Sequence, residues 1–320
     1  MQWYFWVLLI AAIVIMLFIL FAFIFSYVAF RMAFYSSPKE KEDPHGIPKG
    51  EQFDERKEEM FAMIDEMDAI PYERVYTKSY DGLKLSARYY RVKDGAPLQI
   101  QVHGWRGMGV RDFSGGCKFA IDSGYNVLLI DQRCAGESGG KVITFGIREK
   151  YDVLSWIAYS LNRFGAETQI CLTGISMGAA TVLETAAFDL PKNVKAIIAD
   201  SPFSSPEEIL ASVSAGMGMN PKFVMPFIKM GAYLYGGLKI EGGAEEAVKN
   251  CKIPVLILHG EDDRFVPTEM GRRIYAACAS DKRLFTVPGA GHGLSFIIDR
   301  EGYEKTVTGF LLGVFGDKNG

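Results

Sequence analysis

From Met1 to Phe30 every side chain is uncharged and most are apolar. A helix over that run would reach roughly 45 Å at about 1.5 Å per residue, more than the hydrocarbon core of a bilayer requires. Trp3, Tyr4 and Trp6 lie near one end and Tyr27 and Tyr35 near the other, where interfacial aromatic residues collect. A cleaved leader would carry a basic start and a shorter apolar run. The pattern predicts one transmembrane anchor over residues 1–35. Ser36 to Asp54 is polar, with Pro38, Pro44 and Pro48, and reads as an exposed tether. Phe53, Met60, Met63, Ile64 and Met67 then recur at near-helical spacing, so an amphipathic helix is expected by Ile70. Residues 36–70 thus join the anchor to a globular domain over 71–320.

That domain opens with two alternating runs, Tyr72–Tyr80 and Leu83–Val92, joined by Asp81-Gly82, a hairpin signal. Apolar runs follow at Pro97–Val102, Asn126–Ile130, Gln169–Thr173, Val194–Ala199, Pro254–His259 and Arg283–Val287. Helical patterns lie between or after them at Phe113–Ser123, Glu149–Phe164, Gly271–Cys278 and Tyr303–Phe315. An antiparallel start followed by this alternation predicts an α/β fold: a mostly parallel sheet with helices on both faces. One interval, about 204–250, offers no strand but many large apolar residues, among them Met217, Met219, Phe223 and Phe227. It reads as a helical cap insertion whose methionines and aromatics either fill its own core or shape an apolar pocket.

The net charge of −3 suggests no nucleic-acid partner. Five cysteines without a spacing pattern argue against a disulfide framework or a zinc site, so neither metal nor cofactor is expected. No Lys or Arg precedes the apolar run, whereas Arg31, Lys39, Lys41 and Lys49 follow it, which favours a cytoplasmic domain. Oligomeric state is not legible in the chain.

The candidate chemistry centres on Gly174-Ile175-Ser176-Met177-Gly178, between an apolar strand and a helical run from Ala179. A serine projected from a tight strand-to-helix turn needs small neighbours two residues away on each side. It also needs a base, and there are four histidines. His45 lies in the tether, while His103 and His259 each end a strand before a glycine. His292, in Gly289-Ala290-Gly291-His292-Gly293 after the last strand, is the one placed to reach the serine. Glu261, Asp262 and Asp263 are all available as the acid that orients it, with Asp200 a further rival.

These motifs, with His103-Gly104-Trp105-Arg106-Gly107 and His259-Gly-x-x-Asp263-x-x-Val266-Pro267, resemble the α/β-hydrolase superfamily. Its serine-aminopeptidase and monoglyceride-lipase-like branch is the nearest likeness, over about Tyr72 to Phe315. The resemblance implies Ser176, Asp263 and His292 as the catalytic triad, and the backbone N–H groups of Met177 and Trp105 as the oxyanion hole. Asp131 to Gly140 is similar to another family turn, except that Cys134-Ala135 stands where Gly-His is usual. The implied function is a membrane-anchored serine hydrolase acting on an ester or related acyl substrate, small or lipid-like. Peptidase or thioesterase activity is the alternative, and an inactive binding module the alternative of another class. Met217, Phe223 and Phe227 are the candidate substrate-binding residues of the cap.

Overall fold

The computed structural model describes residues 2–36, 45–48 and 50–316; residues 37–44 and 49 of the tether expected over Ser36–Asp54 lie outside these described residues. Contacts divide the chain into two compact units. One joins the N-terminal segment up to Tyr35 with Leu210–Ile240; the other comprises the chain from Ser36 to Ile209 and from Glu241 onward.

The smaller unit holds α1 (Gln2–Ala33), the end of α7 (Pro206–Gly216) and α8 (Pro221–Gly236). Asn220 starts α8 by accepting the Lys222 backbone N–H at 3.0 Å, with Pro221 in the first turn. Gly237, left-handed at φ +55°, ends it. α8 lies along the C-terminal third of α1. A Cβ on Gly231 would sit 2.2 Å from the Ser26 carbonyl oxygen, so glycine is what permits the approach. The Phe227 ring packs at 6.0 Å from Phe21 and 5.2 Å from Phe25, and Tyr235 at 5.2 Å from Tyr27. Later residues of α8 therefore meet later residues of α1: the two helices run in the same sense.

The larger unit is built on eight strands, β1 (Glu73–Lys78), β2 (Lys84–Tyr90), β3 (Leu98–Val102), β4 (Asn126–Asp131), β5 (Ile170–Ile175), β6 (Val194–Asp200), β7 (Val255–Gly260) and β8 (Lys282–Val287). They form one sheet in the order β1-β2-β4-β3-β5-β6-β7-β8. β2 pairs antiparallel with β1 and β4, and every other pair is parallel. The hairpin turns at Gly82, which takes φ +85°. β3 and β7 are buried at every position, as strands covered on both faces must be.

Helices α2 (Glu51–Asp54), α3 (Lys57–Asp68), α4 (Gly109–Asp122), α5 (Glu149–Phe164), α6 (Met177–Thr185), α9 (Ala244–Ala247), α10 (Thr268–Ala277), α11 (Ser295–Ile298) and α12 (Arg300–Phe315) complete this unit. The amphipathic helix expected over Phe53–Ile70 is two helices, and it packs on the domain: Ile64 and Met67 of α3 join Val110, Phe113 and Cys117 of α4 in one core cluster. α4 begins earlier than its apolar pattern suggests. A Cβ on Gly109 would lie 2.7 Å from the Leu129 side chain and one on Gly115 2.3 Å from the Phe296 ring, so these glycines let α4 close on its neighbours at the expense of helix propensity.

Candidate active site

The elbow forms where β5 ends and α6 begins. Ser176 sits at φ +54°, ψ −116°, a conformation that costs a non-glycine residue of order 1–3 kcal/mol and persists only where its surroundings enforce it. Those surroundings are visible. The Ser176 N–H donates to the Asp200 carbonyl oxygen at 2.8 Å. A Cβ on Gly174 would lie 2.2 Å from the Gly178 carbonyl oxygen, and one on Gly178 only 1.8 Å from that of Val102. Met177 is the first residue of α6, where backbone N–H groups have no acceptor within the helix.

From the serine a chain of hydrogen bonds runs through the sheet's carboxyl end. His292 Nε2 stands 2.9 Å from Ser176 Oγ, and His292 Nδ1 is 2.7 Å from Asp263 Oδ2. The other carboxylate oxygen, Oδ1, accepts the N–H groups of Phe265 and Val266 at 2.9 and 2.8 Å. Burial pushes the Asp263 carboxyl up, but hydrogen bonds from His259 and His292 outweigh it and hold the group at about 2. Asp262, next to it, is exposed. The loop that carries His292 lies close on its neighbours: a Cβ on Gly260 would meet the Ala290 carbonyl oxygen at 2.3 Å, and the Asp262 N–H donates to that oxygen at 3.0 Å.

Facing the serine is the loop after β3. A Cβ on Gly104 would be 3.4 Å from Ser176 Cβ, which puts Trp105 one residue from the nucleophile's flank. The loop is held by side chains that its motif does not announce. His103 Nε2 accepts the Gln132 N–H at 3.0 Å, which leaves the proton on Nδ1 to donate to the Gly104 carbonyl oxygen at 2.8 Å. Asp112, in the first turn of α4, accepts the Gly104 N–H at 2.9 Å, while Arg111 Nε donates to its other oxygen at 2.9 Å. Asp112→Ala would strand that N–H and release the loop. A displacement near 1 Å costs about a hundredfold in rate, so kcat is expected to fall about 10- to 100-fold with little change in KM. Asp112→Asn keeps an acceptor and should recover most of the loss; steady-state kinetics on both variants measures it.

The structure thus brings together Ser176, His292, Asp263, the start of α6 and the Trp105 loop. Met217, Phe223 and Phe227 belong to the smaller unit, where Phe227 packs on α1 while Met217 and Phe223 are exposed. Asp200 is engaged elsewhere, accepting from Ser201 Oγ at 3.0 Å; burial raises its carboxyl to about 6. Cys134 is no ready nucleophile, because burial pushes its thiol up to about 12. The Asp131–Gly140 turn instead owes its shape to Arg133, paired with buried Asp152 at 2.7 Å. His259 was legible only as a turn residue, yet its Nε2 is 2.9 Å from the Val266 carbonyl oxygen and 3.5 Å from Asp263 Oδ2.

A mostly parallel eight-stranded sheet that delivers a serine on a strained elbow, with a histidine and an aspartate on later strand ends, is the α/β-hydrolase fold. A family model described as alpha/beta hydrolase fold matches residues 100–225, and one described as serine aminopeptidase, S33, matches residues 232–297. Among curated relatives, the uncharacterized Bacillus subtilis protein YqkD is 32% identical over 193 residues, covering 60% of this chain and 63% of that one. Lysophosphatidylserine lipase ABHD12 of Danio rerio is 30% identical over 176 residues, covering 54% of this chain and 44% of its own. Each match spans less than two thirds of the relative's length. The Pyrococcus furiosus esterase Pf2001 shares the fold, with a TM-score of 0.64 at 23% identity, over 79% of this chain and 94% of its own.

Proposed function

We propose that the protein is a membrane-anchored serine hydrolase that cleaves a carboxylic ester of a lipid-like acyl compound through an acyl-enzyme. The observation that carries this reading is the continuous hydrogen-bonded relay from Ser176 through His292 to Asp263. Ser176 Oγ attacks the acyl carbonyl as His292 Nε2 takes its proton, and the ionised Asp263 holds the imidazole by Nδ1. The N–H groups of Met177 and Trp105 face the developing oxyanion. His292 returns the proton to the departing alcohol, then activates the water that releases the acid.

The anchor reading is supported by the apolar stretch of α1 from Trp3 to Ala33, 31 residues, which is exposed at every position from Trp3 to Phe21. The Lys and Arg that follow it favour a cytoplasmic catalytic domain. An ester is favoured over a peptide by the names of the relatives, a lipase and an esterase. Anchoring raises the local concentration of substrates dissolved in the bilayer, and each methylene removed from water contributes about 0.8 kcal/mol. Four more methylenes are then worth about 3 kcal/mol, or roughly a hundredfold in kcat/KM. The expected profile across nitrophenyl esters therefore rises from acetyl toward longer acyl chains. A flat profile, or faster cleavage of aminoacyl anilides, would replace the lipid-like substrate with a small ester or a peptide.

A further inference from the structure

The pairing of α8 with α1 assigns the cap a second surface. We propose that the α7–α8 tip, from Met217 to Phe223, enters the headgroup–acyl boundary of the bilayer beside α1, so that the cap is itself a lipid-contacting element. The proposal rests on the membrane-anchored reading of α1, and three observations lead from there to the tip.

The first is length. α1 runs about 46 Å at 1.5 Å per residue, against roughly 30 Å for a hydrocarbon core, which leaves about ten residues spare. The contacts with α8 fall on Phe21, Phe25, Ser26, Tyr27 and Phe30, the stretch where that spare length begins. The second is direction. The helices run in the same sense, with Phe227 against Phe21 and Phe25 and Tyr235 against Tyr27 and Phe30, so the N-terminal end of α8 points back toward the membrane-spanning part of α1. Phe223 lies one helical turn further in that direction than Phe227, and its ring continues the aromatic column at 5.5 Å.

The third is the chemistry of the tip. Met217 is 55% exposed and Phe223 57%, apolar side chains presented on a unit already carrying an uncovered apolar helix. From Ile209 to Ile240 there is no acidic residue, whereas Lys222, Lys229 and Lys239 all fall in that interval. Lys222 can hold its ammonium in an anionic phosphate layer while its stem and the neighbouring Phe223 lie deeper. A soluble partner would have no need of this continuity with the apolar face of α1; a bilayer requires it. Close approach at Gly231 is what keeps the tip at this level, because it leaves α8 in direct contact with the α1 backbone.

The test uses the full chain in vesicles of phosphatidylcholine and phosphatidylglycerol, with a spin label on single introduced cysteines in a Cys134→Ser background. Labels at Met217→Cys and Phe223→Cys are expected to lose, several-fold, the broadening by an aqueous nickel chelate seen at exposed Glu167→Cys, and to gain broadening by oxygen. Leu17→Cys on α1 reports the anchor itself. Shielding at Leu17 with aqueous behaviour at 217 and 223 would overturn the tip proposal while leaving the anchor standing. Aqueous behaviour at all three positions would overturn both.

Discussion

Ser176→Ala is expected to abolish ester turnover and labelling by a fluorophosphonate, and Asp263→Asn to lower kcat by about four powers of ten, as misorienting the base does in other triads. The distinction from Asp262 is the sharp part. Asp263 is buried, accepts two backbone N–H groups and touches His292, whereas Asp262 is exposed on the same turn. Asp262→Asn should therefore be mild, and a crippled Asp262→Asn beside a healthy Asp263→Asn would exchange their roles. The same carboxyl has a signature in stability. Its folded pKa of about 2 lies below the ordinary 3.8, so its contribution is present above pH 3.8 and is lost as pH falls through 2. Nearly two units correspond to about 2–3 kcal/mol at 1.4 kcal/mol per unit. Acid unfolding should show the stability advantage of the native chain over Asp263→Asn shrinking across that window. An advantage constant from pH 5 to 2 would mean that the carboxylate is not held by its histidines.

Much of this was legible in the chain because the information is local. The buried strands β3 and β7 read as short apolar runs since helices cover both faces and no polar alternation is needed. Ser176 and His292 stood out because so few histidines compete, and they meet at 2.9 Å. Asp263 could be separated from Asp262 only by a motif, since the turn that buries one carboxylate and exposes the other depends on where Phe265 and Val266 place their N–H groups. What stayed hidden is relational. Asp112 looks like any acid in the first turn of a helix until the Gly104 N–H is found on it. Gly109 and Gly115 obscure the start of α4 because their value is the approach they permit, to Leu129 and Phe296, rather than anything in their own propensity. Gly231 is the extreme case: nothing in an apolar run of the cap says that its partner is a carbonyl more than two hundred residues earlier in the chain.

Gly178→Ala is expected to cost the protein its fold, or at least its stability margin. The added Cβ would stand 1.8 Å from the Val102 carbonyl oxygen and 2.6 Å from that of His103. Both belong to backbone, so no side chain can swing away. Overpacking a core costs typically 1–3 kcal/mol when side chains can adjust, and here the junction of β3 and α6 must part instead, which moves the Gly104 loop and Ser176 together. A loss beyond about 4 kcal/mol would lower Tm by about 10 °C or more, at 2–4 °C per kcal/mol for a domain of this size. Gly82→Ala supplies the control. Gly82, unlike the helical Gly178, has a positive φ, at +85°, but nothing lies within 4 Å of its Cβ position. It should incur only the backbone term of about 1–2 kcal/mol, a shift of a few degrees. Thermal unfolding of both variants in detergent, with ester turnover on whatever folds, separates steric closure from backbone strain. Equal shifts would mean that the steric clash at Gly178 costs no more than a strained turn, and a Gly178→Ala protein with native Tm and rate would remove the close β3–α6 contact from the account of how Ser176 is held.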